Sequence, residues 1–179
     1  MDNSPALQLI IILILLALSA FFSSSETALT TVSHLKLRSL ADDGNKKAKK
    51  VLKVTENSSK LLSAILVGNN IVNISASALA TTFCTNMFGS KYIGVSTGIL
   101  TLLVLIFGEI SPKTLATQYA LQLSMVVVYP ISWLMTLLTP VIFLLNILTG
   151  AIFKLFRVDP SAKKASITEA ELRTIVNVS

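Results

Sequence analysis

The chain has one cysteine and one histidine among its 179 residues, and only nine acidic residues. A lone Cys84 cannot close an intrachain disulfide, and no His or Cys stands at ligand spacing from it, so a thiolate metal cluster is excluded as well. His34 stands alone in a basic segment. There is no nucleophile–base pair and no glycine-rich loop to cradle a phosphate, so the chain is not read as an enzyme. Charged residues make up 13% of the chain against 53% hydrophobic ones, and the mean hydropathy is +0.73, which is too apolar for a soluble domain of this length. The net charge is +6. Its basic residues cluster beside apolar runs rather than among exposed aromatics, a pattern that fits membrane topology and anionic lipid and argues against nucleic acid.

Long apolar runs are what the chain does have. Four stretches, about 6–31, 61–83, 92–112 and 119–156, each reach the roughly 20 residues a crossing helix needs. The first is preceded by Asp2 and followed by Ser23, Ser24, Ser25 and Glu26, without the basic start and small-residue cleavage site of a signal peptide, so it is read as a retained membrane helix. Between the first two stretches lie Lys36, Arg38, Lys46, Lys47, Lys49, Lys50, Lys53 and Lys60 against Asp42, Asp43 and Glu56. Between the second and third the only basic residue is Lys91. The positive-inside rule then places 32–60 in the cytosol and the N-terminus outside. Three crossings keep fourteen of the 15 basic residues inside, because Lys91 alone is outside. A fourth would export Lys154, Arg157, Lys163, Lys164 and Arg173.

The expected fold is therefore an all-α membrane protein, with three transmembrane helices and cytosolic juxtamembrane belt helices. Its transmembrane domain covers residues 1–158, with basic cytosolic helices over 34–60 split at the turn signal Asp43-Gly44-Asn45. A belt follows over 130–156, interrupted by Pro130 and Pro140 and anchored by Tyr129, Trp133, Lys154 and Arg157. A fourth, kinked span is the alternative for this last stretch. Residues 159–179 read as the start of a linker to a further cytosolic domain, with Thr168 and Glu171 opening a capped helix.

Polar residues at membrane depth are costly and usually mark an ion or substrate path. Asn69 and Asn73 are four apart and share one helix face, and a carboxamide oxygen is a hard neutral ligand suited to Mg²⁺, Ca²⁺ or Na⁺. Asn70 points about 100° away and, like Ser63, Ser75 and Ser77, is read as interhelical hydrogen bonding. In the third stretch Pro112 cannot donate to the carbonyl of Gly108, so the helix must kink or bulge beside Glu109. A carboxylate next to a liberated backbone oxygen makes a candidate cation site; a neutral Glu109 packed between helices is the plain alternative. Lys113, one turn on, is either a counter-ion or a lysine snorkelling to the inner interface. On the first helix Ser19, Ser23 and Thr27 follow a four-residue spacing, which makes Ser23 a candidate ligand, while Glu26 lies nearer the cytosolic end as an entrance residue.

Three segments, FFSSSETAL at 21–29, LVGNNIVNI at 66–74 and FGEISPKTLA at 107–116, resemble the membrane domain of the CorC/cyclin M (CNNM) family of magnesium transporters. The resemblance implies a homodimer in the plasma membrane, an external N-terminus and a cytoplasmic C-terminus. It also implies an inward-opening Mg²⁺ site and sodium-linked Mg²⁺ export, with Na⁺ as coupling ion and cytosolic paired CBS modules. Carried over position by position, the metal site falls on Ser23, Asn69, Asn73, Gly108 and Glu109. The residues alone suit Na⁺ or Ca²⁺ as well as Mg²⁺. A membrane-anchored Mg²⁺ sensor that moves no ions is the alternative function.

Overall fold

A computed structural model describes residues 5–155, and among them every regular element is helical. Helix α1 (Pro5–Thr31) carries the first apolar run, and Ser33, whose hydroxyl accepts from the Lys36 N–H, starts α2 (His34–Asp42). The expected turn follows. Gly44 takes φ +90°, a left-handed conformation that costs glycine little, and Asn45 caps α3 (Lys46–Glu56) by accepting from the N–H groups of Lys47 and Ala48 at 2.9 and 3.1 Å. Asn57 alone separates α3 from α4 (Ser58–Phe88), which runs three residues earlier and five later than the 61–83 stretch.

The third stretch is one continuous rod of four pieces. A 3₁₀ turn (Ser90–Tyr92) leads into α5 (Ile93–Leu103), then a π-helical segment (Val104–Ile110), then α6 (Ser111–Gln118). The wider turn closes where the Ser111 N–H donates to the carbonyl of Ile106, five residues back, immediately ahead of Pro112. The expected bulge is therefore present, and a single-turn widening of this kind recurs at functional sites.

The fourth stretch departs from expectation in one respect. Helix α7 (Ala120–Leu137) runs through Pro130 without a break, so of the two prolines expected to interrupt the chain only Pro140 lies at a boundary, in the first turn of α8 (Thr139–Leu155). One side of α7 is buried at Ser124, Val127, Val128, Ile131 and Met135 against α1, α3 and α4, and such packing holds a helix together where proline removes one internal bond. The opposite side exposes Tyr129 and Trp133. The chain divides into two units at Leu138, so α8 is a separate unit. The side chains of Lys154 and Arg157, and the helix start at Thr168, lie outside the described residues.

The all-α membrane fold stands, with a different count: by length and apolarity, four rods rather than three could cross a membrane. They are Pro5–Thr31, Ser58–Phe88, Ser90–Gln118 and Ala120–Leu137, the last having 18 residues, near the lower limit for a span. Helix α1 is the hub, packing on α4, α6, α7 and the π segment. It approaches α4 closely at Gly68, where an added Cβ would stand 2.8 Å from Cε1 and Cζ of Phe22. Phe22 is itself buried, so Gly68→Ala is expected to overpack this contact and destabilise the fold by about 1–3 kcal/mol. Thermal unfolding in detergent reads this directly, and an unchanged midpoint would mean that the two helices separate freely here.

Candidate cation site

Two close approaches fix where the sequence-selected residues fall. Phe22 lies against Gly68, so the next residues, Ser23 on α1 and Asn69 on α4, leave the same helix crossing. Ser19, one turn earlier on the Ser23 face, lies against Gly108, where a Cβ would come within 3.0 Å of the Ser19 Oγ and 3.3 Å of the Leu16 Cδ1. Glu109 follows directly on the π segment. The stretch Ser19–Ser23 is thus bracketed by Gly68-Asn69 on one side and Gly108-Glu109 on the other.

The hydroxyls of α1 divide into two groups. Ser24 and Ser25 donate to the carbonyl of Phe21 at 3.1 and 2.6 Å, and Thr30 and Thr31 make similar bonds within the helix. These satisfy themselves locally, as helix-borne hydroxyls commonly do. Ser19 and Ser23 are almost wholly buried, and their hydroxyls have no hydrogen-bond partner among the described residues. On α4 the Asn73 Nδ2 donates to the Asn69 Oδ1 at 3.5 Å, while the Asn73 Oδ1 is buried and unpaired. An unsatisfied buried polar group costs about 1–3 kcal/mol. None of these three oxygens has a hydrogen-bond partner among the described residues; two lie on α1 and one on α4, which packs on α1, and buried polar groups of this kind are normally completed by a ligand or water.

Their chemistry favours a cation. Carboxamide and hydroxyl oxygens offer lone pairs, the half-buried Glu109 adds the negative charge, and Pro112 leaves the Gly108 carbonyl without its usual helical donor. Among the described residues no three His, Cys, Asp or Glu side chains gather, so a metal held by several side-chain charges is not what this site offers. One carboxylate with neutral oxygens suits a hard ion that keeps part of its water.

Of the expected residues, Asn69 and Asn73 are directly bonded to each other, and Ser23 and Gly108 are buried on adjoining faces of α1 and the π segment. Asn70 is exposed and makes none of the interhelical hydrogen bonds expected of it among the described residues. Ser19 is the residue that sequence reasoning left out. Its four-residue offset from Ser23 was the available signal, but its burial against Gly108 depends on a helix 89 positions away in sequence. Toward the C-terminal end of α1, the Lys113 Nζ lies 3.5 Å from the Glu26 Oε2, which makes Lys113 a counter-ion to Glu26. Both side chains are about 40% exposed, so this pair adds little stability. Toward the other end, the Asn69–Asn73 face continues to Ser77 and Thr81, which with Thr97 and Thr101 line a cleft of about 150 Å³ between α4 and α5.

Gly108→Ala should push Ser19 aside without deleting any ligand atom. A cation held against this face would then bind several-fold more weakly while Glu109 and both asparagines remain, and a Mg²⁺ titration showing unchanged affinity would mean that the Ser19 side lies outside any such site.

Comparison with known proteins settles the family. Residues 10–179 match the model of the cyclin M transmembrane N-terminal domain. The chain belongs to that family. It is 44% identical over 145 residues to a UPF0053 protein of Haemophilus influenzae, covering 75% of this chain and 34% of that protein. It is 43% identical over 117 residues to the UPF0053 inner membrane protein YfjD of Escherichia coli, covering 65% and 26%. A chloroplastic DUF21 domain-containing protein of Arabidopsis thaliana is 38% identical over 128 residues, covering 71% and 19%. The chain therefore spans about a third or less of these three curated relatives. Family and helices together make it a multi-pass membrane protein.

Proposed function

We propose that this domain binds Mg²⁺ within the bilayer on Ser23, Asn69, Asn73, Gly108 and Glu109, and exports it from the cytosol in exchange for Na⁺, working as a homodimer. The observation that carries the reading is the set of buried oxygens without a hydrogen-bond partner among the described residues: the Ser19 and Ser23 hydroxyls on α1, with Ser19 against Gly108 next to Glu109, and the Asn73 Oδ1 on α4, which packs on α1. Membership of the cyclin M family supports Mg²⁺ over the other hard cations that would accept these atoms. Glu26 offers a first negative charge at the inner entrance, where Lys113 holds it until an ion approaches. Glu109 supplies the charge at depth, and the asparagines and serines replace part of the ion's water. Proteoliposomes containing the full-length protein test the reading: Mg²⁺ should move only against an opposed Na⁺ gradient. Mg²⁺ binding without sodium-dependent flux would identify a sensor instead.

The proposed orientation has the N-terminus outside and the C-terminus in the cytosol, as the distribution of basic residues requires under an odd number of crossings. In a Cys84→Ser background, a cysteine at Asn3 should react with an impermeant reagent from outside and one at Ser166 should not. Labelling of both from outside would mean an even number of crossings, with α7 or α8 as a further span.

A further inference from the structure

Helix α3 has two faces of opposite character. Ala48, Val51 and Val54 are buried, where the helix packs on α7, α4, α1 and α2. Lys46, Lys49, Lys50 and Lys53 stand at i, i+3, i+4 and i+7, so they share a single face, about 150° from the buried one. None of the four is ion-paired among the described residues, where the one ion pair is Glu26–Lys113. Like charges at these spacings repel one another along the helix. Glu56, three residues after Lys53, is the one acid on this face, so the face keeps a net positive charge that an anionic surface would complement.

The position of α3 indicates which surface that is. Its last turn is joined through Asn57 alone to the long apolar helix α4, so it lies at a membrane boundary. It also packs on α7, whose exposed side carries Tyr129 and Trp133 one turn apart, the residues that gather at the headgroup level. On α2, which packs on α3, Leu35 is 80% exposed, an apolar side chain that suits a lipid leaflet better than water. We propose that the Lys46–Lys49–Lys50–Lys53 face of α3 is a binding site for acidic phospholipid headgroups of the inner leaflet. The lysine stems reach along the helix while their ammonium groups meet the phosphates.

Phosphatidylglycerol and phosphatidylcholine serve as probes, and retention of each lipid by the purified protein is measured by native mass spectrometry. Phosphatidylglycerol should be retained selectively, and 0.5 M salt should weaken its hold, since exposed charges are screened within a few ångströms at such ionic strength. Each lysine replaced by glutamine should cost about five-fold in apparent affinity, the equivalent of one basic residue at an anionic surface. The Lys46→Gln/Lys50→Gln and Lys49→Gln/Lys53→Gln pairs should each lose roughly 25-fold on that scale, which keeps the test available if the fourfold variant does not fold. Lys91→Gln, on the other side of the membrane, should lose nothing. Equal retention of the two lipids, or unchanged selectivity in folded pair variants, would leave the lysines as orientation signals only and overturn the proposal. So would displacement of phosphatidylglycerol by millimolar inorganic phosphate, which would point to a soluble anion.

Discussion

Glu109→Gln is expected to weaken Mg²⁺ binding about 100- to 1000-fold. Two unit charges 4 Å apart attract by about 4 kcal/mol at an effective dielectric of 20, and the substitution removes the carboxylate of the π segment, which packs on α1, while keeping its shape. The glutamine oxygen still coordinates, so the loss isolates charge from geometry. No large loss of fold is expected, since Glu109 is half-buried and makes no ion pair among the described residues. Calorimetric titration measures the effect, and unchanged affinity in a folded variant would remove Glu109 from the site.

The asparagines should behave as a unit. Asn69→Ala or Asn73→Ala alone should cost roughly 10- to 100-fold in Mg²⁺ affinity, as expected when one bond to a charged group, worth about 1.5–3 kcal/mol, is lost. The double change should add little, because the Asn73 Nδ2 bond to the Asn69 Oδ1 orients both carboxamides, and residues that share a partner couple strongly. Asn70→Ala should be much milder. Melting without Mg²⁺ separates a ligand from a packing contact. A ligand role mainly erases the stabilisation that Mg²⁺ confers, whereas helix glue lowers the stability of the ion-free protein and leaves the Mg²⁺-dependent shift intact.

Features that depend on a few neighbouring residues were legible in the sequence. Asp43-Gly44-Asn45 marks the break between α2 and α3 because the turn geometry and the Asn45 cap are both local. Pro112 marks the π segment because the missing N–H and the ring clash act within one helical turn. The four-residue offset of Asn69 and Asn73 likewise puts them on one face whatever surrounds them. Contacts between distant segments were not legible. The spacing of Ser19 from Ser23 says nothing of Gly108, and no local rule pairs Lys113 with Glu26 in preference to the interface. Pro130 misled for the same reason. Its local effect is to break a helix, and the packing of Val127, Val128 and Ile131 against other helices overrides it.

The most direct measurement is the position of Mn²⁺, an octahedral oxygen-binding surrogate for Mg²⁺, located by anomalous diffraction from crystals of the protein. A single intramembrane peak is expected, bounded by the Ser23 hydroxyl, the Asn69 and Asn73 carboxamides, the Gly108 carbonyl and the Glu109 carboxylate, and absent in Glu109→Gln. A peak confined to Glu26 at the inner entrance, or one that persists at depth in Glu109→Gln, would contradict a cation site built on these residues.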